Sequence, residues 1–416
     1  MDLEVLCSFI HGLVLGVKFV FSMLTVFNRK PFVFSLLKKM HLIIHLLKKF
    51  LHYVQKYLQQ VPSKQVRLHM KRWHKKYLLL SGLFLLVLIG LRHACRPRVV
   101  TLQGEAMGTH YCIKYLARWG RSYQAEVEAL LTHLHQALSL SLPDSELSRF
   151  NAHDCSTFYF ASPAFYPVFA KSKEVYRNTA GAFDPTILPL VEAWEECKTE
   201  AIDRDSRQVH QRCAYVSLDY VVANEQRIKK LKEGVKLDFR GILKGYAVDE
   251  IAALLRNHGV ERAWISLGSE TVAVGKPSKG KFWHTALHPH LSTLVGDNLQ
   301  ITLELVDRAV AISGLQAKGS SSPGCIVDPA TGDRAHHTLL AAAVVAQDCM
   351  AADAYATAMM VRGLVYAQEL LAKETALAAF LVYEDEDGVP AFYASPGLHM
   401  QQNGRSITLR LAQVST

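Results

Sequence analysis

The chain has 416 residues, 50% of them hydrophobic, and a formal charge of +10. That apolar content can bury a core and excludes a disordered tail protein. The 24 Gly and 14 Pro, without period, exclude a collagen-like or low-complexity chain, and the length accommodates two or three domains. The charge is not spread evenly: residues 1–76 hold 14 Lys/Arg against Asp2 and Glu4, a balance of +12, which leaves 33 basic and 35 acidic residues after them, a balance of −2. A nucleic-acid binder therefore loses its main support. Basic residues beside apolar runs suit a membrane surface better.

Within residues 1–69, Val5–Phe27 is apolar except for His11 and Lys18 and is long enough to span a bilayer. Leu36, Met40, Ile43, Leu47, Phe50 and Val54 recur at helical spacing with Lys38, Lys49 and His52 opposite, the pattern of a basic amphipathic helix. In residues 70–95, the basic stretch Met70–Lys76 precedes the uncharged run Tyr77–Leu91. A helix of that run spans roughly 22 Å against a hydrocarbon core of roughly 30 Å. The segment reads as a signal peptide, or as an anchor whose flanking Lys76 and Arg92 snorkel. Cys95 adds a lipoprotein reading. In each case the positive-inside rule puts residue 96 onward on the outer, periplasmic face of the cytoplasmic membrane. A start at Met70 would place an export signal at the N-terminus and make residues 1–69 a mis-called extension. Of eight Cys, none lies in a CxxC or Cys/His metal spacing, and both disulfides and buried free thiols remain open.

From residue 99 the pattern is mixed. Val99–Tyr115 has Gly-punctuated strand character. Tyr123–Leu140 carries helical apolar spacing at Val127, Leu130, Leu131, Leu134 and Leu138. Pro143-Asp144-Ser145 can cap a short helix over Glu146–Phe150. The sequence predicts a helix over Ser162–Ala180, a strand at Lys236–Phe239 and a helix over Gly245–His258 closed by Gly259. Further strands are expected at Ala263–Leu267, Leu299–Leu305, Val310–Ser313, Leu339–Val345 and Ala378–Tyr383, with a helix starting at Asp353. Residues 96–416 thus read as one α+β domain.

Three segments could carry chemistry. Asp353 and Thr357, four apart, put a carboxylate and a hydroxyl on one helix face. Oxygen ligands of this kind suit Mg²⁺, although an Asp at a helix start is more often a cap than a ligand. Asp238-Phe-Arg-Gly-Ile-Leu-Lys-Gly245 joins a strand to a helix, where Gly241 permits close approach and Lys244 adds a cation for phosphate; it lacks Walker spacing. Gly181-Ala-Phe-Asp-Pro-Thr186 and Asp328-Pro-Ala-Thr-Gly332 read as Asx-Pro turns.

Together with Ala106-Met-Gly-Thr109, Asp144–Asn151, Pro189–Trp194, Ser313-Gly314 and Ala352–Thr357, these segments occur in an order that resembles the ApbE family of bacterial FAD:protein FMN transferases. The resemblance runs from about residue 101 into the C-terminal region. It implies that FAD is split at its pyrophosphate with Mg²⁺, that FMN passes to a Thr or Ser hydroxyl of an acceptor protein, and that AMP leaves. It implies acceptors among membrane electron-transfer subunits such as those of sodium-pumping NADH:quinone reductase. By position, Met107, Ala182, Phe183, Asp184, Asp238 and Lys244 would contact FAD, with Ser313 and Ile326 near the nucleotide. Lys244 would offset phosphate charge. Gly241 (through its carbonyl), Asp353 and Thr357 would hold the metal. Cys325 stands where the family often has His as general base. Other departures are Ser141 for an aromatic residue, Arg240-Gly241 for a double Gly, Gly268-Ser269-Glu270 for Gly-Gly-Asp, Leu315 for an acid and Ala356 for an acid. Two other expectations fit the same residues: an Mg²⁺-dependent FAD pyrophosphatase, and a non-catalytic FAD-binding protein at the membrane surface.

Overall fold

The computed structural model describes residues 97–412 apart from 154–156, 200–205, 279–280, 288–290, 292–293, 295–298 and 315–325. The readings of residues 1–69 and 70–95, and the assignment of Cys325, lie outside the described residues. No helix among the described residues is long and apolar enough to cross a membrane.

Strands β1 (Pro97–Ala106) and β2 (Thr109–Arg118) form a hairpin. Its two turn residues, Met107 and Gly108, both have positive φ, as a tight antiparallel turn requires. Helices α1 (Gln124–Leu138) and α2 (Glu146–Ala152) follow. Ser145 caps α2 as expected, accepting from the Ser148 N–H at 2.9 Å. Strand β3 (Thr157–Tyr159) precedes α3 (Phe165–Asn178), which starts later than the sequence suggests because Pro163 sits in a turn that the Phe165 N–H closes on the Ser162 carbonyl. Then come α4 (Leu188–Thr199), α5 (Ser206–Arg212), β4 (Val221–Ala223), β5 (Arg227–Lys230) and α6 (Leu243–Asn257). Strands β6 (Ala263–Leu267), β7 (Glu270–Val274), β8 (Trp283–Ala286), β9 (Gln300–Leu305), β10 (Arg308–Gly314) and β11 (Leu339–Ala346) lead to α7 (Cys349–Arg362) and α8 (Leu364–Lys373). The last strands are β12 (Ala378–Glu384), β13 (Pro390–Ala394), β14 (Leu398–Asn403) and β15 (Ser406–Leu411).

The main sheet has eight strands in the order β1-β2-β6-β7-β10-β11-β12-β13, every pair antiparallel. A second sheet, β14-β15-β9-β8, holds one parallel pair, β15 with β9. A small third sheet is ordered β3-β5-β4. The unbroken apolar run of β11 explains the layering, since a strand covered on both faces need not alternate. Its Ala342, Val344 and Ala346 face one core with α1, α3, α6 and α7, whereas Ala341, Ala343 and Val345 face a second core with Ile301, Leu303, Ile407 and Leu409 of the smaller sheet. Helices, eight-stranded sheet and four-stranded sheet thus form three layers, and the mixed α and β character expected from the sequence is present. Helix α7 is apolar nearly all round and correspondingly buried. Its many alanines let it lie close to the small residues of β11 and to α6.

Two sequence expectations are corrected. Lys236–Phe239 is extended but joins no strand ladder. The Asn151 side-chain amide serves as its pairing partner, accepting from the Leu237 N–H at 2.7 Å and donating to the Leu237 carbonyl at 2.8 Å, while the Asp238 N–H donates to the Pro185 carbonyl at 2.6 Å. Leu237 is fully buried, so Asn151→Ala would orphan two backbone groups. It is expected to cost about 2 kcal/mol, and unchanged thermal stability of that variant would contradict this pairing. The other correction concerns α7, which begins at Cys349, so Asp353 lies in its second turn and is not a cap. Asp348 caps it instead, accepting from the Ala351 N–H at 2.7 Å.

Candidate active site

Helices α6 and α7 pack against each other through Gly245. A Cβ there would meet the Cys349 carbonyl oxygen at 2.4 Å and Met350 Cα at 2.8 Å. Across this contact the Asp353 carboxylate Oδ2 accepts from the Gly245 N–H at 3.1 Å, and the Asp249 carboxylate accepts from the Cys349 and Met350 N–H groups at 2.9 and 2.8 Å. Two residues before α6, the Gly241 carbonyl oxygen lies 3.5 Å from Thr357 Oγ1, which also donates to the Asp353 carbonyl at 3.1 Å. A Cβ on Gly241 would sit 2.9 Å from that hydroxyl and 3.4 Å from the Phe183 ring, so only glycine leaves this space open. The N-cap of α6, Ile242, contributes no side-chain cap. Of its first N–H groups, that of Leu243 donates to the Phe239 carbonyl at 2.8 Å and that of Gly245 to Asp353, so the positive end of the helix acts on an anion chiefly through its dipole and Lys244.

The site residues suggested by the sequence are placed as follows. Gly241, Lys244, Asp353 and Thr357 meet at the α6–α7 contact. Phe183 edges against Gly241, and Asp238 is tied by its N–H to Pro185 beside Asp184. Ala182 and Phe183 are buried. The Asp184 carboxylate accepts from the Thr186 N–H and hydroxyl at 2.8 and 2.6 Å, the Asx-Pro turn expected here. The Asp238 carboxylate is gripped by the fork of Arg240, with Nη2 to Oδ2 at 2.6 Å. Met107 lies at the β1–β2 turn, and the same hairpin brings Thr109 against Gly268. Ile326 is half-buried against the main core, its carbonyl accepting from the Ala335 N–H at 2.8 Å. Among the described residues, Cys112, Cys213 and Cys349 are free thiols. By position His336 or His337 could stand in for the His that Cys325 replaces; His336 is exposed, whereas His337 has Nε2 engaged at 2.8 Å with the Met360 carbonyl and Nδ1 buried without a hydrogen-bond partner.

Glu270 is the site residue that the sequence reading passed over as a functional group. It begins β7, is only 1% exposed, and its Oε1 receives Lys244 Nζ at 2.5 Å and the Ser269 hydroxyl at 2.8 Å. A Ser-Glu pair just after an expected strand was the available signal, but its partner lies on a different element. Burial alone would lower the Lys244 pKa, yet the charges of Glu270 and Asp353 outweigh it and hold the ammonium above its usual range. Burial and then the Glu270 charge raise Asp353, against Lys244 and the Gly245 N–H. Burial also raises Asp184 from 3.8 to about 6, against its hydrogen bonds from Thr186.

An acid whose folded-state pKa exceeds its unfolded value binds protons preferentially when folded. The stability tied to Asp184 is therefore present at low pH and is lost as pH rises from 3.8 through about 6. Asn mimics the protonated form and still accepts from Thr186. Asp184→Asn is expected to match the wild-type Tm near pH about 3 and to exceed it near pH about 8, with a gain of up to about 3 kcal/mol. A variant less stable than wild type at the higher pH would refute this assignment.

The oxygen donors are of the kind that suits a hard divalent cation: the Gly241 carbonyl and the Thr357 hydroxyl lie 3.5 Å apart, and the buried Asp353 carboxylate stands one helical turn before Thr357. Among the described residues no group of three or more His, Cys, Asp or Glu side chains gathers as a metal site. Any such ion would thus take backbone and hydroxyl oxygen here, with ligand oxygens completing its shell.

Comparison with known proteins converges on the same region. The ApbE family model matches residues 107–381. The FAD:protein FMN transferase of Vibrio cholerae serotype O1 is 28% identical over 307 residues, covering 71% of this chain and 91% of the relative. That of Haemophilus influenzae is 29% identical over 339 residues, covering 74% and 94%. Among solved structures, the flavin transferase ApbE of Vibrio cholerae aligns with TM-score 0.63 at 26% identity, over 72% of this chain and 98% of that one. The apo form of Pseudomonas stutzeri flavinyl transferase ApbE aligns with TM-score 0.64 at 26% identity, over 72% and 96%.

Proposed function

The chain belongs to the ApbE family, and from that membership we propose that it is an Mg²⁺-dependent FAD:protein FMN transferase that modifies a Thr or Ser hydroxyl of an acceptor protein. The observation that carries this reading is the convergence of Gly241, Lys244, Asp353 and Thr357 at the α6–α7 contact, inside the region that matches the family.

In the reaction, the acceptor oxygen forms a bond to the FMN phosphorus, the bond from that phosphorus to the bridging oxygen breaks, AMP leaves with that oxygen, and the hydroxyl proton passes to a base. Gly241, Asp353 and Thr357 would hold Mg²⁺, which supplies neutralisation of the pyrophosphate and of the charge that develops on AMP. Lys244, on the first turn of α6, binds the phosphate charge that remains, and the positive end of that helix favours the phosphate. Phe183 and Met107 border the flavin nucleotide, with Asp184 and Asp238 as polar contacts and Ile326 beside it. Cys325 stands at the position of the base. A thiol has an unperturbed pKa of about 8.5 against about 6.5 for an imidazole, so replacing Cys325 by His should raise the rate near neutral pH.

The basic, apolar N-terminal tract supports a protein held at a bacterial cytoplasmic membrane with its catalytic domain on the outer face. There it would meet acceptor subunits of membrane electron-transfer complexes. Incubation with FAD, Mg²⁺ and a Thr-containing acceptor, read by mass spectrometry, tests the activity. A phosphoester-linked FMN adduct on Thr is expected. Release of FMN and AMP without any adduct would favour the pyrophosphatase instead, a reading motivated by Cys325. Bound but intact FAD would leave only a binding protein.

A further inference from the structure

We infer that Glu270 is a positioning residue that keeps the Lys244 ammonium off the Asp353 carboxylate, so that Asp353 stays free to take a divalent cation. This rests on the metal-dependent reading above. Three charged side chains are gathered in one poorly solvated place: Lys244 on the first turn of α6, Asp353 on the second turn of α7 and Glu270 at the start of β7. The lysine lies within electrostatic reach of both carboxylates, since each helps to hold its proton, and the residue next to it, Gly245, already touches Asp353 through its N–H at 3.1 Å.

The Lys244 side chain is 32% exposed, and its partner Glu270 is 1% exposed, so it is the buried carboxylate that requires a cationic partner. The geometry shows which one it takes: Lys244 Nζ lies 2.5 Å from Glu270 Oε1. The Ser269 hydroxyl donates to the same oxygen at 2.8 Å and fixes the carboxylate toward α6. The β6–β7 connection allows this, because Leu267 pairs directly with Glu270 and only Gly268 and Ser269 turn the chain between them. Glu270 Oε2 has no hydrogen-bond partner. Lys244 and Ser269, both acting on Oε1, therefore supply the compensation for burying this carboxylate, which makes the pairing mutual and strong. If Glu270 loses its charge, the nearest remaining buried anion for Lys244 is Asp353. A cation seeking Asp353 must then displace an ammonium, and its affinity falls.

The test is Mn²⁺ binding to the full-length protein by titration calorimetry and by the EPR signal of free Mn²⁺, without substrate turnover. It compares wild type, Glu270→Gln, Glu270→Asp, Lys244→Met and the Glu270→Gln/Lys244→Met pair. Gln keeps the volume and the Ser269 contact. Glu270→Gln is expected to weaken Mn²⁺ binding by about 10-fold or more, the usual scale for groups just outside a metal's ligands. Glu270→Asp, which restores the charge, should recover part of that loss. Removing Lys244 as well should bring the double variant back to the affinity of Lys244→Met alone. A purely structural role for Glu270 would not be relieved by deleting the lysine. Unchanged Mn²⁺ affinity in Glu270→Gln, or a double variant as weak as Glu270→Gln, would overturn the inference while leaving the transferase reading intact. Failure of the wild type to bind Mn²⁺, with or without FAD, would instead remove the metal-dependent reading on which the inference stands. Should Glu270→Gln not fold, the comparison of Glu270→Asp with its Lys244→Met double decides the matter in the same way.

Discussion

Asp353→Asn is expected to cut FMN transfer by more than about 100-fold while leaving the metal-free protein at least as stable as wild type. The activity estimate follows from the carboxylate's place beside Thr357 and Gly241: even groups one shell out typically cost 10–100-fold in metal affinity, and this one is proposed as a direct ligand. The stability estimate has the opposite sign for the same reason. Asp353 is 6% exposed, and burial together with Glu270 raises its pKa. A raised carboxyl pKa means that the ionised form opposes folding, increasingly so as pH rises above the unfolded value. Asn keeps the volume and can still accept from the Gly245 N–H. It also leaves Lys244 and Glu270 balanced one to one. Function and stability therefore pull apart at this position, as they do where an active site holds a charge in an unfavourable place. FMN transfer followed by mass spectrometry and thermal melts on the same preparation check both halves. Retained transfer, or a Tm several degrees below wild type, would remove Asp353 from its proposed role.

The parts of this site that could be read in the sequence are those whose signals are local. The inward face of α6 is visible in Ala247, Val248, Ile251, Ala252, Leu254 and Leu255, all buried except the half-buried Leu254, and Gly259 does close the helix with φ +77°. The doubly buried β11 was visible as an apolar run. The reading failed where the decisive partner is distant in the chain. Lys236–Phe239 looked like a strand because its residues suit one, but its backbone is satisfied by Asn151, 86 residues from Leu237, and by Pro185. The start of α7 was placed late because Asp249, on another helix, covers its first N–H groups. Ser269-Glu270 marks a polar pair beside an expected strand, but its pairing with Lys244 is not legible because that lysine lies 26 residues away. Sequence patterning predicts none of α4, α5 and α8, nor β3, β4, β5, β7, β8 and β13–β15. Strand β14 is largely polar and exposed, so it has little apolar alternation to read. The arrangement of Gly241, Lys244, Asp353 and Thr357 is a product of packing two helices, and spacing in one of them shows only half of it.

That packing gives the largest expected effect on stability. Gly245→Ala places a Cβ 2.4 Å from the Cys349 carbonyl oxygen, 2.7 Å from its carbon and 2.8 Å from Met350 Cα. All three are backbone atoms of α7, and none is a flexible side-chain end, so the clash cannot be relieved by a rotamer change. Helices α6 and α7 must separate. The cost is expected to be about 3 kcal/mol or more, at or above the upper end for overpacking, less the few tenths to about 1 kcal/mol that Ala gains over Gly in a helix interior. Separation would also lengthen the Gly245 N–H bond to Asp353 and move Lys244, so transfer activity should fall together with Tm. Gly259→Ala is the internal control. Its φ of +77° strains any side chain, but nothing lies within 4 Å of the new Cβ, and it sits at the far end of α6. It is expected to cost about 1 kcal/mol and to leave activity nearly unchanged. If the two variants lose similar stability, or if Gly245→Ala melts normally, the close contact of α6 with α7 is not what holds the site together.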